Sequence, residues 1–286
     1  MEIAFLALAA SLNKYGNVNL EYMARLTDKT EDALLDDLRG RVFFNPLIKG
    51  YEIADKFIAG NVISKAEMIE EYIANHPDNE RAVQSLEALR AAFPAPIPFE
   101  ELDFNFGERW IPTGIYEKYA SHLFDTDVKI SYAASRDEFS VNASTRGNVR
   151  IREQYAVKGE SRRYDGLNLM KHAIQNTSPD ITKKVQAGDE VVKVRDTEAI
   201  QLANSKIDEI RNGFSDWLKE QSPEFKQRLT DMYNRKFNNS VKPKYDGSRQ
   251  TFPGLDLKAL GIPDLYASQK DAIWMTKING GGIIDH

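Results

Sequence analysis

Residues 17–53 read NVNLEYMARLTDKTEDALLDDLRGRVFFNPLIKGYEI, and this stretch decides the fold of the N-terminal part. Asn19 is placed to cap a short helix over Leu20–Leu26. Thr27 or Thr30 caps the next helix, which puts Ala33, Leu34, Leu35 and Leu38 on its buried side and ends at Gly40. Val42-Phe43-Phe44 reads as a strand, Pro46 to Gly50 as a turn, and Tyr51-Glu52-Ile53 as the return strand. An apolar helix over residues 3–13 precedes them. Three short helices followed by a hairpin is the order of a winged helix.

A winged helix usually presents its third helix to the DNA major groove. Here that helix carries Glu31, Asp32, Asp36 and Asp37 against Arg39 alone. Such a surface repels phosphates, which supply most non-specific affinity. The expectation is protein docking or a structural role for this module, with no duplex readout. Ile3 to Ala10 has the look of a signal-peptide core, but Glu2 stands where a secretory signal needs positive charge, and the run is short. A buried first helix is the better reading.

The rest of the chain extends the fold class to α+β, mainly helical. Residues 62–92 read as charged helix with a break at His76-Pro77-Asp78, and Pro94, Pro96 and Pro98 form a stiff linker. Phe99, Leu102, Phe104, Phe106, Trp110 and Ile111 read as core rather than as a ligand box. A small central β meander is expected from 128–132, 138–141 and 149–151. Leu167–Asn176 returns to helix, and Val185 to Val194 reads as a hairpin around Gly188-Asp189. Ile200, Ala203, Ile207, Ile210, Phe214 and Trp217 line one face of a long helix from Thr197 to Lys219. Pro223 opens another, running to about Tyr233. The expected divisions are 1–66 (winged helix), 67–125 (helical connector), 126–165 (small β region), 166–240 (helical region) and 241–286 (C-terminal lead-in).

Composition narrows the function classes. The 286 residues include no cysteine and only four histidines, His76, His122, His172 and His286. Disulfides, thiolate metal sites and cysteine nucleophiles are thereby excluded, and a histidine-rich metal centre is not expected. No apolar run reaches the roughly 18 residues of a membrane helix, so the expected compartment is cytoplasmic. The net charge of −5 hides an asymmetry. Residues 1–128 hold 12 Lys+Arg against 22 Asp+Glu, whereas residues 129–286 hold 26 against 21. Contact with nucleic acid belongs to the second half.

The motif search is mostly negative. There is no GxxxxGK[ST] phosphate loop, no GxGxxG loop and no Asn/Asp-Pro-Pro-Tyr/Phe box. Asn45-Pro46-Leu47-Ile48 reads as a turn, Gly280-Gly281-Gly282 is a weak phosphate signal, and the pairs Asp36/Asp37 and Glu100/Glu101 read as surface. The strongest positive signal is 226–249, KQRLTDMYNRKFNNSVKPKYDGSR, with seven cations against Asp231 and Asp246. Arg228, Arg235, Lys236, Lys242, Lys244 and Arg249 are candidate phosphate contacts, and Tyr233, Phe237 and Tyr245 candidate stacking rings. The competing reading is a solvated basic face with core aromatics. A weaker patch holds Arg146, Arg150, Arg152, Lys158, Arg162 and Arg163 against Glu153 and Glu160.

Residues 264–274, DLYASQKDAIW, resemble the lead-in to a superfamily-two helicase motor of the Swi/Snf type. The resemblance implies that Gln269 is the adenine-reading, nucleotide-contacting glutamine. It also implies that residues 281–286, GGIIDH, are the strand before the phosphate loop, so that the chain is a fragment cut just before that loop. YEIADKFIAGNV (51–62), FGERWIP (106–112), YNRKFN (233–238), YDGS (245–248) and FPG (252–254) resemble large mobile-element proteins of Bacteroides-like bacteria, adenine-specific DNA methylases fused to a helicase. The resemblance implies ATP and magnesium for the helicase and S-adenosylmethionine for the methylase of the parent, with no cofactor in this piece. It implies no catalytic residue here. The expected partners are DNA, held weakly and without sequence preference by the second half, and neighbouring methylase and helicase domains. Three readings stand: a DNA-engaging connector, a structural or interaction module, and, least supported, a free-standing enzyme.

Overall fold

A computed structural model describes residues 2–145, 147–248 and 250–284. The chain forms two compact units, one of residues 1–97 with 231–286, the other of residues 98–230.

The first unit begins with the expected winged helix. Helices α1 (Glu2–Tyr15), α2 (Leu20–Thr27) and α3 (Glu31–Asp37) precede strands β1 (Val42–Asn45) and β2 (Gly50–Ile53). Asn19 caps α2 by accepting the Tyr22 N–H, and Thr30, not Thr27, caps α3 by accepting the Ala33 N–H. The strands pair antiparallel with Val42 opposite Ile53 and Asn45 opposite Gly50. Asn45 Oδ1 accepts the Leu47 N–H, so Asn45-Pro46 is the turn that its sequence signals. Two details differ from expectation. Helix α3 ends at Asp37, three residues before Gly40, and Ala33 is exposed while Leu34, Leu35 and Leu38 are buried. The buried set suffices because a seven-residue helix has room for only one narrow apolar stripe.

The unit continues with α4 (Ala54–Phe57), β3 (Gly60–Asn61), α5 (Val62–Asn75) and α6 (Glu80–Ala91). Phe57, Val62, Ala66, Ile69, Leu86 and Leu89 make their own core cluster. The stretch 51–62 is thus mostly structural: Phe57 is core, Gly60 takes φ +70°, and Asn61 caps α5 through the Ser64 N–H.

The second unit holds α7 (Thr113–Phe124), β4 (Val128–Ala133), β5 (Glu138–Ala143), β6 (Val157–Lys158), β7 (Arg163–Tyr164), α8 (Gly166–Gln175), β8 (Thr182–Ala187), β9 (Glu190–Arg195) and α9 (Thr197–Lys219). Each β element is part of a separate two-stranded antiparallel pair. Residues 149–151, expected as a third meander strand, are helical instead, with Arg150 and Ile151 opening a π-helical turn over Arg150–Gln154. Ile151 is buried there as it would be in a strand, so alternation alone could not separate the two. The centre of the unit is aromatic. Phe214 lies 5.2–5.4 Å from the rings of Phe106, Tyr116 and Tyr119, and the Tyr119 hydroxyl donates to the Ile210 carbonyl at 2.5 Å. Phe104, Phe106 and Ile111 are core, as expected, whereas Phe99, Leu102 and Trp110 are only partly buried. Gly107 is required at φ +96°, because an added Cβ would stand 2.0 Å from the Ile174 carbonyl oxygen.

Helix α10 (Pro223–Phe237) contains the boundary between the units and runs one turn past the expected end at Tyr233. β10 (Ser240–Val241) then pairs with β3, and α11 (Ala267–Asn279) closes the first unit. Trp274 and Ile278 of α11 enter the winged-helix core beside Ala4, Leu8, Leu12, Met23 and Leu34. Residues 281–284 are irregular where a strand was implied, because no described segment pairs with them; Asp285 and His286 lie outside the described residues.

Candidate nucleic-acid interface

The last turn of α10 brings four of the candidates together. Tyr233 and Phe237, four residues apart, share a face with ring centroids 5.0 Å apart. Arg235 and Lys236 are exposed on the same turn, and Phe237 is itself 52% exposed, far more than a core ring. Arg235 is 2.9 Å from Glu67, and the Lys236 ammonium lies 6.0 Å from the Phe237 ring. Lys242 and Lys244 follow, exposed, on an irregular segment after β10. Arg228 is exposed earlier on α10.

The asparagines between these residues have another task. Asn234 accepts the Ile97 N–H at 2.8 Å and donates to the Ile97 carbonyl at 3.0 Å. Asn238 donates to the Ala95 carbonyl at 2.8 Å. The proline linker cannot supply enough N–H donors to pair with itself, so these amides satisfy its backbone and fix the end of α10 in place.

The other candidates are placed differently. Tyr245 is half-buried against the winged-helix core, and its hydroxyl accepts from Asn279 at 2.8 Å. Gly247 meets α11 so closely that an added Cβ would stand 2.2 Å from the Lys270 carbonyl group, and its N–H donates to Asp271 at 2.7 Å. The 245–248 stretch therefore fastens α11. Gln269 is exposed, and its Oε1 caps α11 by accepting the Tyr266 N–H at 2.9 Å. Arg249 and Arg146 lie outside the described residues.

The acidic α3 is also engaged. Arg81 bridges to Asp36 at 3.0 Å, and Lys29 to Asp37 at 2.5 Å. The lysine beside Asp37 holds that carboxyl below the usual range. A cavity of about 530 Å³ lies between α1 and α11, lined by Phe5, Arg39, Arg41, Asp55, Asp246 and Trp274, among others. Burial raises the Asp55 carboxyl above the ordinary aspartate range. Among the described residues no group of three or more His, Asp or Glu is placed to hold a metal ion, and no helix is long and apolar enough to cross a membrane.

Sequence reasoning missed the role of Asn234 and Asn238 as linker clamps and of α11 as part of the winged-helix core. Only the amphipathic spacing of Trp274 and Ile278 signalled the second.

Comparison with known families matches two stretches. Residues 3–52 are similar to the winged helix domain of probable helicases. Residues 105–239 match a family described as a domain of unknown function, DUF8437. No curated protein and no solved structure matches the chain. The N-terminal module is thus a winged helix similar to those of probable helicases, carried in an α+β, mainly helical chain.

Proposed function

We propose that the chain is a non-catalytic connector and DNA-engaging region of a helicase fused to an adenine-specific DNA methylase. The observation that carries this reading is the end of α10, where exposed cations and paired rings sit on a turn anchored by Asn234 and Asn238. Base-tracking surfaces combine such cations with stacking rings. The winged helix supports the helicase side of the reading, and its acidic α3 is occupied by Arg81 and Lys29 rather than offered to phosphate. Gln269 would serve nucleotide contact only in the full motor, after leaving its cap. ATP, magnesium and S-adenosylmethionine would be bound by other domains of the parent.

A second reading, a structural module without DNA contact, is favoured by the Arg235–Glu67 ion pair and the diversion of Tyr245 into packing. Anisotropy with a labelled 20-nucleotide single strand separates the two. The first reading expects weak, sequence-independent binding that falls steeply with salt. Absence of binding at about 50 mM salt, where phosphate contacts are strongest, supports the second.

A further inference from the structure

The second unit carries another basic feature, assembled from two distant stretches. The β8–β9 ribbon pairs Thr182 with Arg195, Lys184 with Lys193 and Gln186 with Val191. Alternation puts these six on one face, and Lys183, Val185, Ala187, Glu190, Val192 and Val194 on the other. The first face has three cations and no acid. Every residue from Lys184 to Arg195 is exposed, so neither face is covered.

Charge is distributed unevenly along the ribbon. At its base the cations are neutralised: Lys183 lies 3.5 Å from Asp196, and Arg195 lies 3.3 Å from Asp180. Lys184 and Lys193 stand directly opposite each other, and neither makes an ion pair among the described residues. Like charges in that position destabilise a strand pair, and a lone two-stranded ribbon is marginal to begin with. The base is held by the β6–β7 turn. Glu160 accepts the Lys184 N–H, and the Tyr164 hydroxyl donates to the Asp180 carbonyl at 2.9 Å. Exposed Lys158, Arg162 and Arg163 lie on β6, β7 and their turn, so the 158–163 part of the weaker basic stretch adjoins the base of the ribbon.

We propose that the β8–β9 ribbon is a nucleic-acid-binding arm whose Lys184/Lys193 face lies on the phosphate backbone of a duplex. An anion between the two lysines relieves their repulsion. The acidic tip, Asp189 and Glu190, opposes tip-first entry, so the ribbon lies flat. Residues 182–195 hold no aromatic side chain to stack on unpaired bases, which favours a duplex over a single strand. The site is separate from the end of α10 and does not depend on it.

The test uses the full chain with a labelled 20-base-pair duplex and one of its strands, titrated at about 50, 100 and 200 mM salt. The Lys184→Gln/Lys193→Gln variant should bind the duplex several-fold more weakly. Its slope of log K against log salt should be shallower by about 1.8, two phosphates at roughly 0.9 each. The variant should be at least as stable as the parent, since a repulsion is removed. Val185→Thr/Val192→Thr should leave duplex binding unchanged. Unchanged duplex affinity and slope in the folded lysine variant overturn the proposal. So does loss of binding in the valine variant alone, which marks the apolar face as the contact, or an effect on the single strand only. Arg235→Ala/Lys236→Ala, measured in parallel, reports on α10 alone, so either site can fail without the other.

Discussion

Trp274 Nε1 donates a long hydrogen bond, 3.4 Å, to Asp55 Oδ2, joining residues 219 positions apart in the chain. The indole is 8% exposed and the carboxyl half-buried beside it. This contact seats α11 on the winged helix, so the segment that resembles a helicase lead-in is part of the N-terminal core rather than an appended tail.

Truncating that anchor should be costly. Trp274→Ala enlarges the cavity that the indole lines with Leu8 and Leu12 and should cost about 3–5 kcal/mol, with Ile278→Ala at about 2–5 kcal/mol. Chemical denaturation followed by circular dichroism measures this; a loss below about 1 kcal/mol for Trp274→Ala would contradict the packing.

Asp55 gives the same contact a pH signature. Burial raises its carboxyl, so the folded state binds its proton more tightly than the unfolded state. The contribution is fully present below the unfolded value near 4 and is lost as pH rises through the raised folded value. Asp55→Asn should therefore stabilise the protein at neutral pH, with the advantage shrinking towards pH 4. An advantage that grows on acidification would reverse the assignment.

Asp137 should behave in the opposite way. The Arg109 guanidinium and the Tyr132 hydroxyl hold its carboxyl down at about 2. Its contribution is present above the unfolded value near 4 and fades as pH falls through about 2. Asparagine tolerates the φ of +48° at this position. Asp137→Asn should lower the melting temperature at pH 7, with the deficit shrinking as pH falls from about 4 and vanishing only below about pH 2; equal melting at pH 7 would show the Arg109 contact to be idle.

Much of the fold was legible because its signals are local. The caps at Asn19 and Thr30, the Asn45-Pro46 turn, the Gly188-Asp189 hairpin and the apolar stripe of α9 each lie within a few residues of the element they specify. What escaped was long-range or ambiguous. Residues 149–151 alternate like a strand, yet strand pairing needs a neighbour, and the backbone closes a π turn instead. The candidate basic segment was legible in composition, but composition could not tell that Asn234 and Asn238 clamp the proline linker or that Tyr245 fastens α11. Those roles depend on partners between 34 and 143 residues away.

The acidic helix offers a negative control. Asp32→Asn/Asp36→Asn removes partners of Arg81 on an exposed surface and should cost no more than about 1 kcal/mol. DNA affinity should be unchanged or slightly higher, because a repulsive surface is neutralised. If Arg39→Ala/Arg41→Ala instead abolishes DNA binding, the winged helix is the contact.

The most direct measurement is the salt dependence of single-strand binding by the Arg235→Ala/Lys236→Ala variant. Removing these two proposed phosphate contacts should make the slope of log K against log salt shallower by about 1.4, at roughly 0.7 per phosphate on a single strand, and affinity should fall. An unchanged slope and affinity in a folded variant would contradict the account, leaving the end of α10 as a solvated face around a structural clamp.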